Sequence, residues 1–116
     1  MSDASRFGLP QAALDKLDDV FALHPAIESV LIYGSRAKGN HRPGSDIDLA
    51  LKGKAIAFDE FLAIENQIDD LMLPYSVDLS EYGKIDNPEL IAHIDRVGVE
   101  IYRGGNGLAH RNASQA

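Results

Sequence analysis

Short apolar runs alternate along this chain with amphipathic segments of helical period, and no other feature constrains its fold as tightly. Residues 9–23 carry Ala13, Leu14, Leu17, Val20 and Phe21 at three- and four-residue spacing, which gathers them on one face of a helix. Pro10 suits the first turn, and His24-Pro25 ends the pattern, because a residue before proline avoids the helical region. Within residues 28–33, Val30 to Tyr33 are continuously apolar, as in a strand covered on both faces. Residues 46–52 alternate instead, with Asp46, Asp48 and Ala50 on one face and Ile47, Leu49 and Leu51 on the other. That period of two is a strand's.

A second helical stripe runs through residues 58–72, with Phe61, Ile64, Ile68, Leu71 and Met72 expected inside and Pro74 as the stop. Asp59 and Glu60 favour its first turn through the helix dipole. Residues 75–80 read as a third strand. Asn87-Pro88 is a helix start, with Asn as cap and Pro in the first turn. Leu90, Ile91, Ile94 and Val97 would face inward, Gly98 would supply the stop, and residues 99–103 a last short strand. A short helical turn fits residues 35–39. The order predicts an α/β (α+β) sandwich: a mixed sheet of about four strands with helices packed on it.

Composition narrows the function. The 116 residues are 45% hydrophobic and 25% charged, which suits one globular core. Residues 1–103 are expected to form a single domain, and residues 104–116, rich in Gly, Asn and Ala, a mobile tail. No run approaches the roughly 20 apolar residues of a membrane span, and the N-terminus lacks the pattern of a secretory signal. The absence of cysteine excludes disulfides, thiolate zinc sites and cysteine nucleophiles, and fits a cytoplasmic location. With 11 Lys and Arg against 18 Asp and Glu, the chain lacks the charge for stable binding of a DNA duplex.

The chemistry concentrates in three places. Gly34-Ser35 follows a buried strand and opens a helical turn, where unpaired N–H groups and a hydroxyl suit a triphosphate. Asp46 and Asp48, two apart on a strand, share a face with Cα atoms roughly 6.5–7 Å apart, close enough for a common Mg²⁺ site. Asp78 lies between Val77 and Leu79, an unusual position for an acid within an apolar strand. If that strand pairs beside residues 46–52, the three carboxylates converge, and a divalent cation relieves their repulsion. Each feature alone has an ordinary reading, as a turn, a half-exposed strand face and a solvated strand end.

Together, Gly34-Ser35, ten intervening residues and then Asp46-Ile47-Asp48-Leu49 resemble the signature of the polymerase-β nucleotidyltransferase superfamily. Its third acid maps onto Asp78, and the resemblance runs from about residue 26 to residue 103. It implies a polymerase β-like fold, with Gly34 and Ser35 holding the triphosphate of ATP. It also implies that Asp46 and Asp48 coordinate two Mg²⁺ ions, and that Asp78 binds the catalytic metal and helps activate the acceptor hydroxyl. Arg36, Lys38 and Arg42 are positioned to neutralise the triphosphate, or are solvated loop charges; Arg36 is the candidate for nucleotide binding.

Without added helical domains, the chain looks like the minimal nucleotidyltransferase group, often the antitoxin partners of HEPN RNase toxins. That likeness implies AMP transfer to a tyrosine of a HEPN toxin, in a hetero- or homo-oligomer. The alternatives are an antitoxin that acts by binding alone, and a small-molecule transferase of the aminoglycoside-modifying type. The histidines, His24, His41, His93 and His110, show no metal-ligand spacing and are read as non-catalytic. Tyr33 and Tyr102 are expected in the core or at an interface.

Overall fold

The computed structural model describes residues 6–104. The expected tail lies outside the described residues except for Gly104. The elements are α1 (Gln11–Ala22), β1 (Ile27–Tyr33), α2 (Gly34–Lys38), β2 (Ile47–Gly53), α3 (Phe58–Asp69), β3 (Val77–Glu81), a 3-10 turn (Tyr82–Lys84), α4 (Pro88–Val97) and β4 (Val99–Arg103). The four strands form one mixed sheet in the order β3-β2-β1-β4. β1 runs antiparallel to both β2 and β4, while β2 and β3 are parallel, joined across α3. This is the predicted fold class, and no helix among the described residues is long and apolar enough to cross a membrane.

The two faces of the sheet bury different sets. Ile47, Leu49 and Leu51 of β2 are buried with Val30 and Ile32 of β1, Leu14, Leu17 and Phe21 of α1, and Ile64 and Ile68 of α3. Burying each such side chain contributes roughly 1.5–3 kcal/mol, so this cluster is the main core. On the opposite face, Tyr33 and Ala50 pack with Ile94 of α4, bordered by Leu31, Tyr82, Ile85, Leu90 and Val97. The alternation read from the sequence therefore sorts Asp48 of β2 onto the α4 face.

Three local expectations change. α3 ends at Asp69, and Leu71 and Met72 continue it only as turns onto Ile68 and Asp69. Met72 sits at φ 57° with its side chain 83% exposed, so it leaves the buried stripe. Gly98 ends α4 in an extended conformation, φ −64°, not a left-handed one. What requires glycine there is space, since a Cβ would lie 2.5 Å from the Ile94 carbonyl oxygen. Pro10 caps α1 from just outside it, its carbonyl accepting from the amides of Ala13 and Leu14. Asn87 caps α4 as expected, its side-chain oxygen accepting from the amides of Glu89 and Leu90.

Candidate active site

Strand direction assembles the site. β1 ends where β2 begins because the two are antiparallel, and β3 begins at the same edge because it is parallel to β2. The C-terminal end of β1, the N-terminal end of β2 and the start of β3 therefore meet at one corner. Tyr33 stands opposite Asp48, and Asp48 opposite Asp78. Neighbouring strands lie about 4.8 Å apart, so the two carboxylates project side by side on the α4 face. Asp46 immediately precedes β2 and is exposed, Asp48 is half-buried and Asp78 is exposed.

The electrostatics follow from that placement. Burial pushes the Asp48 carboxyl above its ordinary pKa, and the charges of Asp78 and then Asp46 push it further. The protein thus holds a carboxylate where its own surroundings disfavour the charge. Tyr33 is raised in the same way: burial dominates, a hydrogen bond from Ser80 opposes it, and Asp78 and Asp48 add to it. Tyr33 is also edge-on to His93, with ring centroids 6.0 Å apart and planes at 80°. The phenol is 6% exposed and belongs to the wall of the site.

Gly34 begins α2 at φ +77°, a conformation that L side chains rarely adopt. A Cβ there would run into Oδ2 of Asp48. The glycine therefore lets the turn close directly onto the carboxylate. Ser35 follows, half-buried, and its carbonyl accepts from the amides of Gly39 and Asn40, closing the five-residue helix through a left-handed Gly39.

The donor set fits Mg²⁺. Among the described residues no three acidic or imidazole side chains are gathered as a ready cage. Mg²⁺ does not demand one, because it binds through one or two carboxylates together with substrate phosphates and keeps several waters. The mutual repulsion at Asp48 is what such an ion would remove.

Arg36 departs from the sequence expectation. It is 2% exposed. Its Nε and Nη2 donate to the Ser45 carbonyl at 3.1 and 3.0 Å, Nη2 to Pro43 at 3.3 Å, and Nη1 to Phe7 and Gly8 at 2.9 and 3.4 Å. A guanidinium so engaged faces the protein, not an incoming nucleotide. Lys38 and Arg42 are exposed. No sequence signal could separate these three cations, because the partners of Arg36 lie up to 29 residues away.

Two concavities of about 290 and 300 Å³ lie along α3 and β3, lined by residues such as Ile68, Asp69 and Val77. Neither is lined by Asp46, Asp48 or Asp78, so they belong to the other side of β3. His24 is held between Glu60 at 2.9 Å and Gln67 at 2.7 Å, bracing the turn after α1 against α3.

Comparison with known proteins agrees with this fold. The family described as polymerase beta, nucleotidyltransferase, matches residues 15–105. No curated protein matches the sequence. Among solved structures, a toxin-antitoxin with AMP-PNP aligns at a TM-score of 0.65 and 16% identity, covering 81% of this chain and 76% of that one. A mutant of the toxin-antitoxin MntA-HpeT aligns at 0.63 and 14%, covering 81% and 75%. A nucleotidyltransferase of Sulfolobus solfataricus, described as putative, aligns at 0.52 and 23%, covering 80% and 78%. At these identities the likeness to solved structures is one of fold. The family match spans most of the chain and contains the Gly-Ser turn and all three aspartates, and the chain belongs to the polymerase β nucleotidyltransferase family.

Proposed function

We propose that this nucleotidyltransferase moves AMP from ATP to a hydroxyl of a partner protein, a tyrosine of a HEPN RNase toxin, and acts as its antitoxin. The observation that carries the reading is the pairing of Asp48 with Asp78 on one face, with Gly34 backed directly onto Asp48. Toxin-antitoxin assemblies among the structures of like fold, one of them with AMP-PNP, support the partner and the nucleotide.

In this reading Asp46, Asp48 and Asp78 would hold two Mg²⁺ ions. Bound there, such ions would supply electrostatic stabilisation to the attacking and leaving oxygens of an in-line displacement. The chain's own groups do the rest. Gly34 keeps the space between the turn and Asp48 free of a side chain, and Ser35 offers its hydroxyl to the triphosphate. Asp78, exposed at the start of β3, accepts the proton of the acceptor hydroxyl. The acceptor oxygen forms a bond to the α-phosphorus, the bond to the bridging oxygen breaks, and pyrophosphate leaves with that electron pair. The shallow, exposed placement of Asp46 and Asp78 suits a protein acceptor that approaches from outside.

The competing reading is an antitoxin that masks its partner by contact. Asp48→Ala separates the two. Transfer and neutralisation should be lost together while the complex with the neighbouring gene's product still forms. Unchanged neutralisation by Asp48→Ala would favour masking.

A further inference from the structure

Among the described residues Arg36 is the largest fully buried side chain, and it is a cation with no ion pair among them. Burying an unpaired charge is costly unless every donor is satisfied. Here backbone carbonyls satisfy it, and they come from two separate segments. Pro43 and Ser45 belong to the loop that leads into β2, and Ser45 directly precedes Asp46. Phe7 and Gly8 belong to an N-terminal turn. A third segment meets the guanidinium face: the Tyr75 ring lies 5.1 Å below it, two residues before β3.

The N-terminal turn is built to present those carbonyls. Phe7 and Gly8 both have left-handed backbones, φ 61° and 71°, and the Leu9 amide closes the turn onto the Arg6 carbonyl at 2.8 Å. A non-glycine residue in that region is strained. The turn is anchored by Leu9, which is fully buried, and Gly8 lies against the His41 ring so closely that a Cβ would strike its Nε2. The loop from 42 to 45 is closed on itself as well, by Ser45 N–H to the Arg42 carbonyl and Arg42 N–H to the Ser45 hydroxyl, each at 2.9 Å. Next along the chain, the Ile47 amide donates to the Ser76 carbonyl at 2.8 Å and joins the two acid-bearing strands.

We infer that Arg36 is a positioning residue: it clamps the loop that delivers Asp46, and the residues 6–9 turn is part of that clamp. This rests on the reading of Asp46 as a metal ligand. Arg36 follows Ser35 directly, so one short helix carries both the phosphate-facing hydroxyl and the clamp. The planar guanidinium matters because it reaches both segments at once from one rigid fork. Lysine has the charge but not the fork, so Arg36→Lys keeps the cation and loses the geometry.

The test compares wild type, Arg36→Lys and Gly8→Ala by two measurements. One is hydrogen–deuterium exchange of residues 42–46 without metal. The other is Mn²⁺ binding in the presence of AMP-PNP, followed by electron paramagnetic resonance of the free ion. Arg36→Lys should fold, exchange faster through residues 42–46 while the β1 amides stay protected, and bind Mn²⁺ roughly 10- to 100-fold more weakly, as loss of a ligand-orienting group does. Gly8→Ala should shift both in the same direction by less, and it decides the matter if Arg36→Lys does not fold. Wild-type exchange and wild-type Mn²⁺ affinity in a folded variant would overturn the inference. Should wild type itself bind no Mn²⁺, the metal-site reading fails, whereas the exchange measurement still decides whether Arg36 clamps the loop.

Discussion

Asp48 of β2 and Asp78 of β3 are register partners in the only parallel pairing of the described sheet, and both project toward α4. Parallel pairing requires a crossover, which α3 supplies, and the crossover leaves both acids at the same end of their strands. The Gly34 turn reaches that end from the antiparallel neighbour. An acidic corner of this kind is unfavourable to the metal-free protein, and that has a measurable consequence.

Asp48→Asn should stabilise the metal-free protein near neutral pH while abolishing transfer. The folded-state pKa of Asp48 is raised above its unfolded value by burial and by Asp78 and Asp46. A raised carboxyl contributes stability that is fully present below the unfolded pKa and is lost as pH rises through the folded pKa. Wild type should therefore lose stability relative to Asp48→Asn across that acidic window and stay lower above it. Thermal unfolding with chelator from acid to neutral pH checks this; a constant difference between the two proteins at every pH would contradict it.

Gly34→Ala should cost both stability and metal binding. Its φ of +77° strains any L residue, by about 1–2 kcal/mol, and the new methyl group displaces the Asp48 carboxylate. Urea unfolding should show a drop of at least that size, and Mn²⁺ affinity should fall with it. A variant that is destabilised but binds Mn²⁺ normally would show that the glycine serves the backbone alone.

Asn87→Ala removes the side-chain acceptor for the amides of Glu89 and Leu90 at the start of α4. Loss of such a cap costs about 1 kcal/mol, or roughly 4–8 °C in Tm for a domain of this size. The cap is exposed and away from the acids, so transfer at a temperature well below the transition should be unchanged. Lost transfer in the folded variant would mean that α4 does more than cover Tyr33 and Ala50.

The strand positions of Asp48 and Asp78 were legible because a strand's period of two is local and apolar neighbours mark each strand, whereas Asp46, expected on the same strand face as Asp48, falls just before β2. That Asp48 and Asp78 would pair in register was conditional on topology, which the alternation of helices and strands suggested. Arg36 was not legible in the same way. Its role depends on carbonyls of Phe7 and Gly8, far off in sequence, held in a left-handed turn that no residue pattern announces. Met72 misled for a related reason: helical spacing continues into a segment that Asp69 and Asp70 already terminate, and exposure there is set by the turn, not the side chain.

AMP transfer at the acid corner is open to direct assay. The direct measurement uses ATP labelled at the α-phosphate, Mg²⁺ and the neighbouring gene's product as acceptor, with Asp46→Ala beside wild type. Wild type should label the acceptor and Asp46→Ala should not. Equal labelling by Asp46→Ala, or a stable complex that takes no label, would contradict it.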